Sequence, residues 1–251
     1  VYVPLPNSLH AQWAIEAARQ GKHVLCEKPL ALGLDEAREM FAVARQHKVM
    51  LLESYPWWFQ PQTGELVRLL GSGAIGRVLS VQASFGFMLG DAPGNIRLNP
   101  ALGGGALLDL GSYVVSLTRR AMGSAPQRVA ADVTWAASGV DLSMSATLHY
   151  DDGRRSQLAC AMDLAPHRHA LIIGSDGAIE TEFLNHTGGH ADAFGYQPSQ
   201  MRVRRGARPY ETVHSPAGSG FRFAAEAFAK VVAAEDFAAI ERAAAVSLDI
   251  A

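Results

Sequence analysis

Short apolar runs alternate with amphipathic segments over the first part of the chain. The runs VYVPL (1–5), KHVLC (22–26) and VMLLES (49–54) have the length and continuous hydrophobicity of buried parallel strands. Apolar residues recur at helical spacing between them, first Leu9, Trp13, Ala14 and Ala17, then Ala37, Met40, Phe41 and Ala44. Asn7 or Ser8 is expected to cap the first helix and Asp35 the second. This pattern predicts a parallel βαβαβ sheet with right-handed crossovers.

The pattern changes after Arg77. RVLSVQASFGF (77–87) predicts a strand, and a loop rich in Gly, Pro and Asn (90–104) leads to a helix over 105–122. Alternating segments are then joined at two Asp-Gly turns, 151–153 and 176–177, which is a strong hairpin signal. An Ala-rich helical tail covers 221–251. We therefore expect a mostly antiparallel, meandering sheet with one long helix inserted early.

Together these patterns predict an α/β plus α+β fold with two domains. The division is expected near residue 57, with domains 1–56 and 57–251, and the tail helix is expected to pack back on the first domain.

Residues 71–76, GSGAIG, match the G-x-G-x-x-G pattern of dinucleotide-binding loops. That loop follows a strand and opens a helix, because the helix N-terminus faces the phosphates. Here a helical pattern (61–70) precedes the glycines and a strand pattern (77–87) follows them. We expect a helix C-cap and a tight turn, not a phosphate site.

Composition narrows the class of protein. The 251 residues are 49% hydrophobic and 18% charged with a net charge of −2, so we expect neither nucleic acid nor membrane as a partner. Cys26 and Cys160 lie in apolar runs and are expected to be buried thiols. We expect no apolar run to reach the length of a membrane span. A cytoplasmic enzyme fits these features.

Glu27, Lys28 and Pro29 follow the second strand directly. Ligands of open α/β sheets bind at the carboxyl ends of the strands, so Lys28 would present a cation to the crevice there. The alternative is that Glu27 and Lys28 are ordinary solvated charges of a loop.

A second candidate stretch is GGGALLDLGSY (103–113). Its glycines allow the backbone either to lie against a flat ligand or to pack closely. Asp109 and Tyr113 are four residues apart and share one helix face, where they could grip a hydroxylated substrate. A nearby ammonium such as Lys28 would lower the pKa of Tyr113. The alternative is a half-buried core tyrosine beside a surface acid.

The two stretches together resemble the glucose–fructose oxidoreductase / inositol dehydrogenase (Gfo/Idh/MocA) family. The resemblance rests on EKP (27–29) and GGGALLDLGSY (103–113), and on the opening VPLPNSLHAQWAIEAARQGKHVLCEKPLA (3–31). It implies the C-terminal half of an NAD(P)-binding Rossmann fold, followed by an open, mostly antiparallel sheet. Tyr113 matches the tyrosine branch of the family, whose substrates are sugars and trans-dihydrodiols.

The resemblance also implies roles for single residues. Lys28, Asp109 and Tyr113 would be catalytic: Lys28 would hold the reacting hydroxyl, Asp109 would orient the substrate, and Tyr113 would move the proton. Cofactor contacts are implied for Pro6, Asn7, His10, Glu27, Lys28 and Pro29. Arg97 is a candidate substrate or cofactor contact. Trp57 and Trp58 would either form an apolar wall of the substrate site or serve in interdomain packing.

The implied activity is hydride transfer between NAD or NADP and a sugar-like or diol substrate, in a homodimer or homotetramer formed through the second sheet. The resemblance implies that the first strands and the true Gly-rich loop of the family precede Val1, and we expect the three remaining strands to expose an apolar edge. The alternative is a noncatalytic fragment or scaffold that oligomerises through its sheet.

Histidines are the remaining candidates for metal binding. His167, His169, His186 and His190 have no carboxylate or cysteine that completes a ligand set at standard spacing. We interpret them as surface or sheet-facing residues.

Overall fold

The computed structural model describes residues 1–90, 93–185, 198–216 and 218–251. Within these ranges the strands are β1 (Tyr2–Val3), β2 (Val24–Glu27), β3 (Leu51–Ser54), β4 (Val78–Met88), β5 (Arg128–Trp135), β6 (Asp141–His149), β7 (Arg155–Ala161), β8 (Asp163–Gly174), β9 (Gly177–Thr181), β10 (Ser199–Arg205) and β11 (Glu211–Ser215). The α-helices in the same ranges are α1 (His10–Arg19), α2 (Leu34–Gln46), α3 (Pro61–Gly71), α4 (Ser112–Met122), α5 (Gly220–Ala233) and α6 (Ala238–Ile250).

The first sheet is the parallel βαβαβ unit that the sequence predicts. Its strand order is β1-β2-β3, and Cys26 pairs with both Val3 and Glu53. The predicted caps are wrong in detail. Asn7 begins a 3₁₀ turn (Asn7–Leu9) that precedes α1, and Asp35 lies inside the first turn of α2 because that helix begins at Leu34.

The outer edge of this sheet is apolar and exposed, as expected for three strands. β1 is the edge strand, and Val1, Tyr2 and Trp13 are each about half exposed along it. A groove of about 360 Å³ runs between β1 and α1.

The second sheet has the order β11-β10-β9-β8-β4-β7-β6-β5. Both Asp-Gly hairpins are confirmed, since β6 pairs with β7 and β8 with β9 in antiparallel register. The expected meander is interrupted, because β4 inserts between β8 and β7 and runs parallel to β7, with Ala83 opposite Leu158. This pairing joins segments far apart in sequence, and local patterning carries no signal for it.

Helix α4 covers one face of the second sheet. Val114 and Leu117 are fully buried against Val81, Leu158 and Ile172. The predicted helix 105–122 is partly wrong, since a π-helical turn (Leu107–Gly111) precedes α4. The Leu107 N–H donates to Asp141 Oδ2 at 2.6 Å at the start of this turn.

One stretch corrects the expectation about membrane-length runs. Pro100–Met122 spans 23 residues with a mean hydropathy of 1.2, which is long and apolar enough for a span. However, 61% of its most apolar 18-residue stretch is buried inside the protein. A core helix has the same properties, and α4 is such a helix.

Helix α6 packs back on the first sheet. Ala239, Ile240 and Ala244 belong to the same buried cluster as Phe41, and Arg45 forms a bidentate ion pair with Glu241 (2.6 and 2.9 Å). A second cluster lies between the other sheet and α4. The domain division at residue 56 stays a prediction.

The GSGAIG segment is a helix-to-strand turn, as predicted. Helix α3 ends at Gly71, and Gly73 and Gly76 have φ angles of 69° and 68° before β4 begins. A Cβ on Gly76 would lie 2.1 Å from Ser175 Oγ, so the turn is packed against the β8–β9 hairpin.

Candidate active site

Lys28 contacts the GGGALLDLGSY motif (103–113) directly. It follows the last residue of β2 and is joined to Pro29 by a cis peptide bond. Its Nζ donates to both the carbonyl oxygen and Oδ1 of Asp109, each at 2.7 Å. The structure therefore brings together the two stretches that carry the candidate chemistry.

Asp109 is held between two cations. Oδ1 accepts from Lys28, and Oδ2 accepts from Arg97 Nε at 2.6 Å. Burial alone would raise the pKa of Asp109, but Lys28 and Arg97 hold it below its usual value. Because each carboxylate oxygen accepts a hydrogen bond from one of these cations, Asp109 holds the side chains of Lys28 and Arg97 in place.

Lys28 keeps its charge in this setting. Burial alone would lower the pKa of Lys28, but Tyr113 and Asp109 raise it above its usual value. An ammonium has three N–H bonds, and two of them are used on Asp109. The third can therefore serve a hydroxyl or carbonyl oxygen in the cleft.

Tyr113, in the first turn of α4, lies beside Lys28. Its ring centre is 5.0 Å from Lys28 Nζ, and the rings of Tyr55 and Phe85 pack edge-on at 5.5 Å. The side chain is 3% exposed, and this burial raises its pKa, with Lys28 and Arg168 opposing the rise without cancelling it. Lys28 thus favours the phenolate as expected, but the pKa of Tyr113 still lies above its ordinary value because burial outweighs the nearby cations.

Sequence reasoning missed two residues that contact Tyr113. The Arg168 guanidinium lies 4.8 Å from the centre of the Tyr113 ring, and Asn185 Nδ2 donates to Tyr113 Oη at 3.2 Å. Arg168 shares its strand face with buried Ala170 and Ile172, so the alternation of β8 could have flagged it. No local pattern marks Asn185.

The three glycines serve close packing. A Cβ on Gly104 would lie 2.5 Å from the carbonyl oxygen of Arg97, and the carbonyl of Gly103 accepts from Asn7 Nδ2 at 2.8 Å. The loop is thereby fastened to the first sheet. A cleft of about 170 Å³ opens beside it, with Pro4, Leu5, Glu27, Lys28, Arg97 and Asp109 in its lining.

His10 supports the loops around this cleft. Its ring is fully buried, with Nδ1 2.8 Å from the carbonyl oxygen of Pro29 and Nε2 2.8 Å from that of Leu5. The structure thus shows His10 supporting these two loops, and a contact of His10 with a cofactor stays a prediction. The Pro6 carbonyl accepts from the N–H of Leu9, while Glu27 lines the cleft and accepts from the Tyr2 hydroxyl at 2.6 Å.

The two tryptophans have different places. Trp57 is fully buried and donates from Nε1 to Ser116 Oγ at 3.1 Å, so the packing interpretation holds for it and the substrate wall does not. Trp58 is partly exposed and packs 4.8 Å from Tyr55 between ring centres. It stays a candidate for the apolar wall.

The histidines of β8 lie on the outer face of the sheet. His167 Nε2 is 2.8 Å from Ser84 Oγ, and His169 pairs opposite Ser84. Among the described residues no group of three His, Cys, Asp or Glu side chains is placed to hold a metal. His186 and His190 lie outside the described residues.

The cleft has the donor set for one end of a dinucleotide. Lys28 and Glu27 offer a cation and a carboxylate to ribose hydroxyls, and Pro4 and Leu5 offer apolar surface to a flat ring. The cleft also lies at the carboxyl ends of parallel strands, where such cofactors bind. These features fit the nicotinamide-ribose end of NAD or NADP, and so define the class of nicotinamide-dependent oxidoreductases.

Comparisons with known proteins agree with this class. Residues 1–55 match the sequence model of the oxidoreductase family with an NAD-binding Rossmann fold, and residues 63–180 match the GFO/IDH/MocA C-terminal domain. D-xylose 1-dehydrogenase (NADP⁺) 2 of Haloferax volcanii is 34% identical over 99% of this chain and 74% of its own length. The chain belongs to the Gfo/Idh/MocA family of oxidoreductases.

Two further relatives are similar over different lengths. Trans-1,2-dihydrobenzene-1,2-diol dehydrogenase of Danio rerio is 35% identical over 72% of this chain and 54% of its own length. The 3-ketoreductase KijD10 of Actinomadura kijaniata, solved with NADP and TDP-benzene, superimposes with a TM-score of 0.85 at 30% identity. That match covers 100% of this chain and 74% of KijD10. The chain thus spans between half and three quarters of these relatives.

Proposed function

We propose that this protein is an NAD(P)-dependent dehydrogenase acting on the CH–OH groups of sugar-like or trans-dihydrodiol substrates. The observation that carries the proposal is that Lys28 and Asp109 are ion-paired in the lining of a cleft at the end of the parallel strands, while the buried ring of Tyr113 lies 5.0 Å from Lys28 Nζ. The relatives named as xylose and dihydrodiol dehydrogenases support the substrate class. The comparisons give no support to a noncatalytic scaffold.

A bound nicotinamide cofactor would supply the hydride exchange, and the residues of this chain do the rest. In reduction, Tyr113 Oη donates its proton to the substrate carbonyl oxygen as the C–H bond forms. In oxidation, the phenolate of Tyr113 takes the hydroxyl proton. The free N–H of Lys28 holds the same substrate oxygen and favours the charge that develops there.

Asp109 keeps this arrangement in place. Its two ion pairs fix the Lys28 ammonium and hold Arg97 at the mouth of the cleft. Arg97 is partly exposed, so its remaining N–H groups can reach a hydroxyl-rich substrate or the cofactor.

The test uses the full-length gene product with NAD⁺ or NADP⁺ and a panel of aldoses and a trans-dihydrodiol. We expect saturable formation of reduced cofactor with at least one member of the panel. Nicotinamide fluorescence measures cofactor binding separately from turnover. Binding of neither cofactor, or binding without turnover of any sugar or diol, would contradict the proposal.

We also propose that the protein forms a homodimer or homotetramer through the outer face of its second sheet. This face carries a shallow depression of about 620 Å³ lined by small and polar side chains, among them Ser84, Ser145 and Ala159. Strand β5 is exposed along its whole length at the edge of the same sheet. Cytoplasmic location stays a prediction.

A further inference from the structure

Arg168 occupies an aromatic box next to Tyr113. Its guanidinium carbon lies 4.3 Å from the ring centre of Phe85, 4.5 Å from that of Phe183 and 4.8 Å from that of Tyr113. Such contacts attract a cation to the negative face of each ring. Arg168 reaches Tyr113 from β8 of the second sheet. Lys28, in contrast, reaches it from the end of β2 in the first sheet.

Within the described residues, the charge of Arg168 has no acidic partner at contact distance. Its Nη2 donates to the carbonyl oxygen of Phe183 and to Asn185 Oδ1, and its Nε is buried without a partner among the described residues. In that same part of the chain no carboxylate forms an ion pair with it, and Glu182 acts only at longer range. Burial lowers the pKa of Arg168 to about 10. A buried cation without a counter-ion is costly to fold.

Asn185 connects Arg168 to the phenol. Because its Oδ1 accepts from Arg168 at 3.2 Å, its amide NH₂ faces Tyr113 Oη and donates to it at 3.2 Å. The phenol oxygen is therefore an acceptor on this side. Its own proton can therefore be donated to a different acceptor.

We propose that Arg168 is a positioning residue of the reaction, which acts across the ring and through Asn185 to stabilise the phenolate that Tyr113 forms when it releases its proton. The proposal rests on the proposed function of Tyr113 as the proton carrier. When the phenol proton moves to a substrate carbonyl oxygen, the negative charge left on Oη supplies a counter-ion that Arg168 lacks among the described residues. The cost of burying Arg168 is then offset in the state that the reaction creates.

Several charged or titratable groups act on this proton. Those that influence Tyr113 from other elements are Lys28, Arg168 and Glu27, and Tyr113 in turn raises the pKa values of Tyr2 and Tyr55. Lys28 and Arg168 favour the phenolate, and Glu27 opposes it. Removal of Arg168 leaves Lys28 as the single cation among the groups that favour the phenolate in the described structure.

The experiment compares the pH dependence of substrate oxidation in the full-length protein and in Arg168→Gln, which keeps hydrogen bonding but removes the charge. Oxidation requires the phenolate. In Arg168→Gln we therefore expect the rising limb of the plot of kcat against pH to move to higher pH by about one unit or more. Below that limb kcat should fall about tenfold or more. Arg168→Lys retains the charge and should bring the limb back toward the wild-type position.

Arg154→Gln is the matched control. Arg154 is also largely buried and lies 5.3 Å from a ring centre, that of Tyr150, but it contacts Asp152 and not the cleft. We expect it to affect stability without moving the limb. If the folded Arg168→Gln protein has an unshifted limb, or if Arg168→Lys fails to restore it, the proposal is overturned.

A second measurement is independent of turnover. Ionisation of Tyr113 can be followed as the tyrosinate absorbance lost in a Tyr113→Phe background, with and without Arg168→Gln. An upward shift in its titration supports the role of Arg168 even if no sugar or diol proves to be a substrate, in which case only the proposed function fails. An identical titration in both backgrounds overturns the role of Arg168 whatever the activity.

Discussion

The ammonium nitrogen of Lys28 lies 5.0 Å from the centre of the Tyr113 ring. Lys28 follows a strand of the parallel sheet, while Tyr113 belongs to the helix that covers the other sheet. The cation and the proposed proton carrier thus come from different halves of the fold, and they meet beside the cleft that Lys28 lines. The proposed reaction therefore also depends on the residues that position Lys28 and Tyr113, among them Asp109 and Asn185.

Replacing Tyr113 with Phe should remove the proton carrier and keep the ring. We expect kcat to fall by about 10²–10⁴-fold, because this is the usual contribution of a positioned acid or base. Steady-state kinetics of the full-length protein measure the effect. Tyr150→Phe is a suitable control, since Tyr150 is equally buried and its hydroxyl has no partner within the described ranges. A Tyr113→Phe enzyme with wild-type kcat would remove Tyr113 from the mechanism.

Asp109→Asn should destabilise the protein as well as slow it. The change leaves Lys28 and Arg97 without their shared carboxylate in a site where Asp109 is 17% exposed. We expect a loss of about 3–5 kcal/mol in the free energy of unfolding at pH 7, measured by urea denaturation. Asp35→Asn removes an acid that is 96% exposed and should change nothing measurable.

The loss in Asp109→Asn should depend on pH with a definite sign. The pKa of Asp109 is lowered in the folded protein, so its contribution is present above its ordinary pKa of 3.8. That contribution disappears as the pH falls through the folded pKa. The stability curves of wild type and variant should therefore converge in acid. Curves that stay parallel down to acid unfolding would show that Asp109 is not ion-paired.

Glu53 on β3 makes stability depend on pH in the direction opposite to Asp109. It is 3% exposed, its Oε1 accepts from the Leu30 N–H at 2.8 Å, and burial raises its pKa to about 7. A folded pKa above the ordinary 4.5 means that the folded state holds its proton more tightly. Stability is therefore lost as the pH rises from about 4.5 to about 7.

Glu53→Gln should remove this dependence, because the amide cannot ionise. Relative to the variant, wild-type unfolding free energy should fall by about 3 kcal/mol across that interval and stay constant above it. Urea denaturation at a series of pH values measures the difference. A constant difference between the two proteins across the interval would contradict a raised pKa at Glu53.

Ala159→Arg tests the proposed assembly. Ala159 lies near the middle of the outer sheet face, opposite Ser84 and Ser145, so a large charged side chain there would block a second copy. We expect the molar mass measured by light scattering to fall to that of a single chain, with the fold retained. Ala207→Arg, in the exposed turn between β10 and β11, should leave the mass unchanged. A protein that is already monomeric before substitution would refute the assembly.

Local features of this protein followed from its sequence. Apolar periodicity gave the βαβαβ unit and the tail helix, and the Asp-Gly pairs gave both hairpins, since these depend on neighbouring residues and their backbone preferences. The order of helix, glycines and strand was enough to identify GSGAIG as a turn. Lys28, Asp109 and Tyr113 were recognisable as a set because their motifs are specific.

Contacts between distant residues were decided only by the tertiary structure. The parallel pairing of β4 with β7, the full burial of Trp57 and the support of two loops by His10 leave no trace in local periodicity. The direction of the Tyr113 pKa also required the fold, because burial outweighs the nearby cations there. Arg168 reaches Tyr113 only through strand pairing in the second sheet. Sequence thus determined which groups could do chemistry, and packing decided which of them meet and how they are charged.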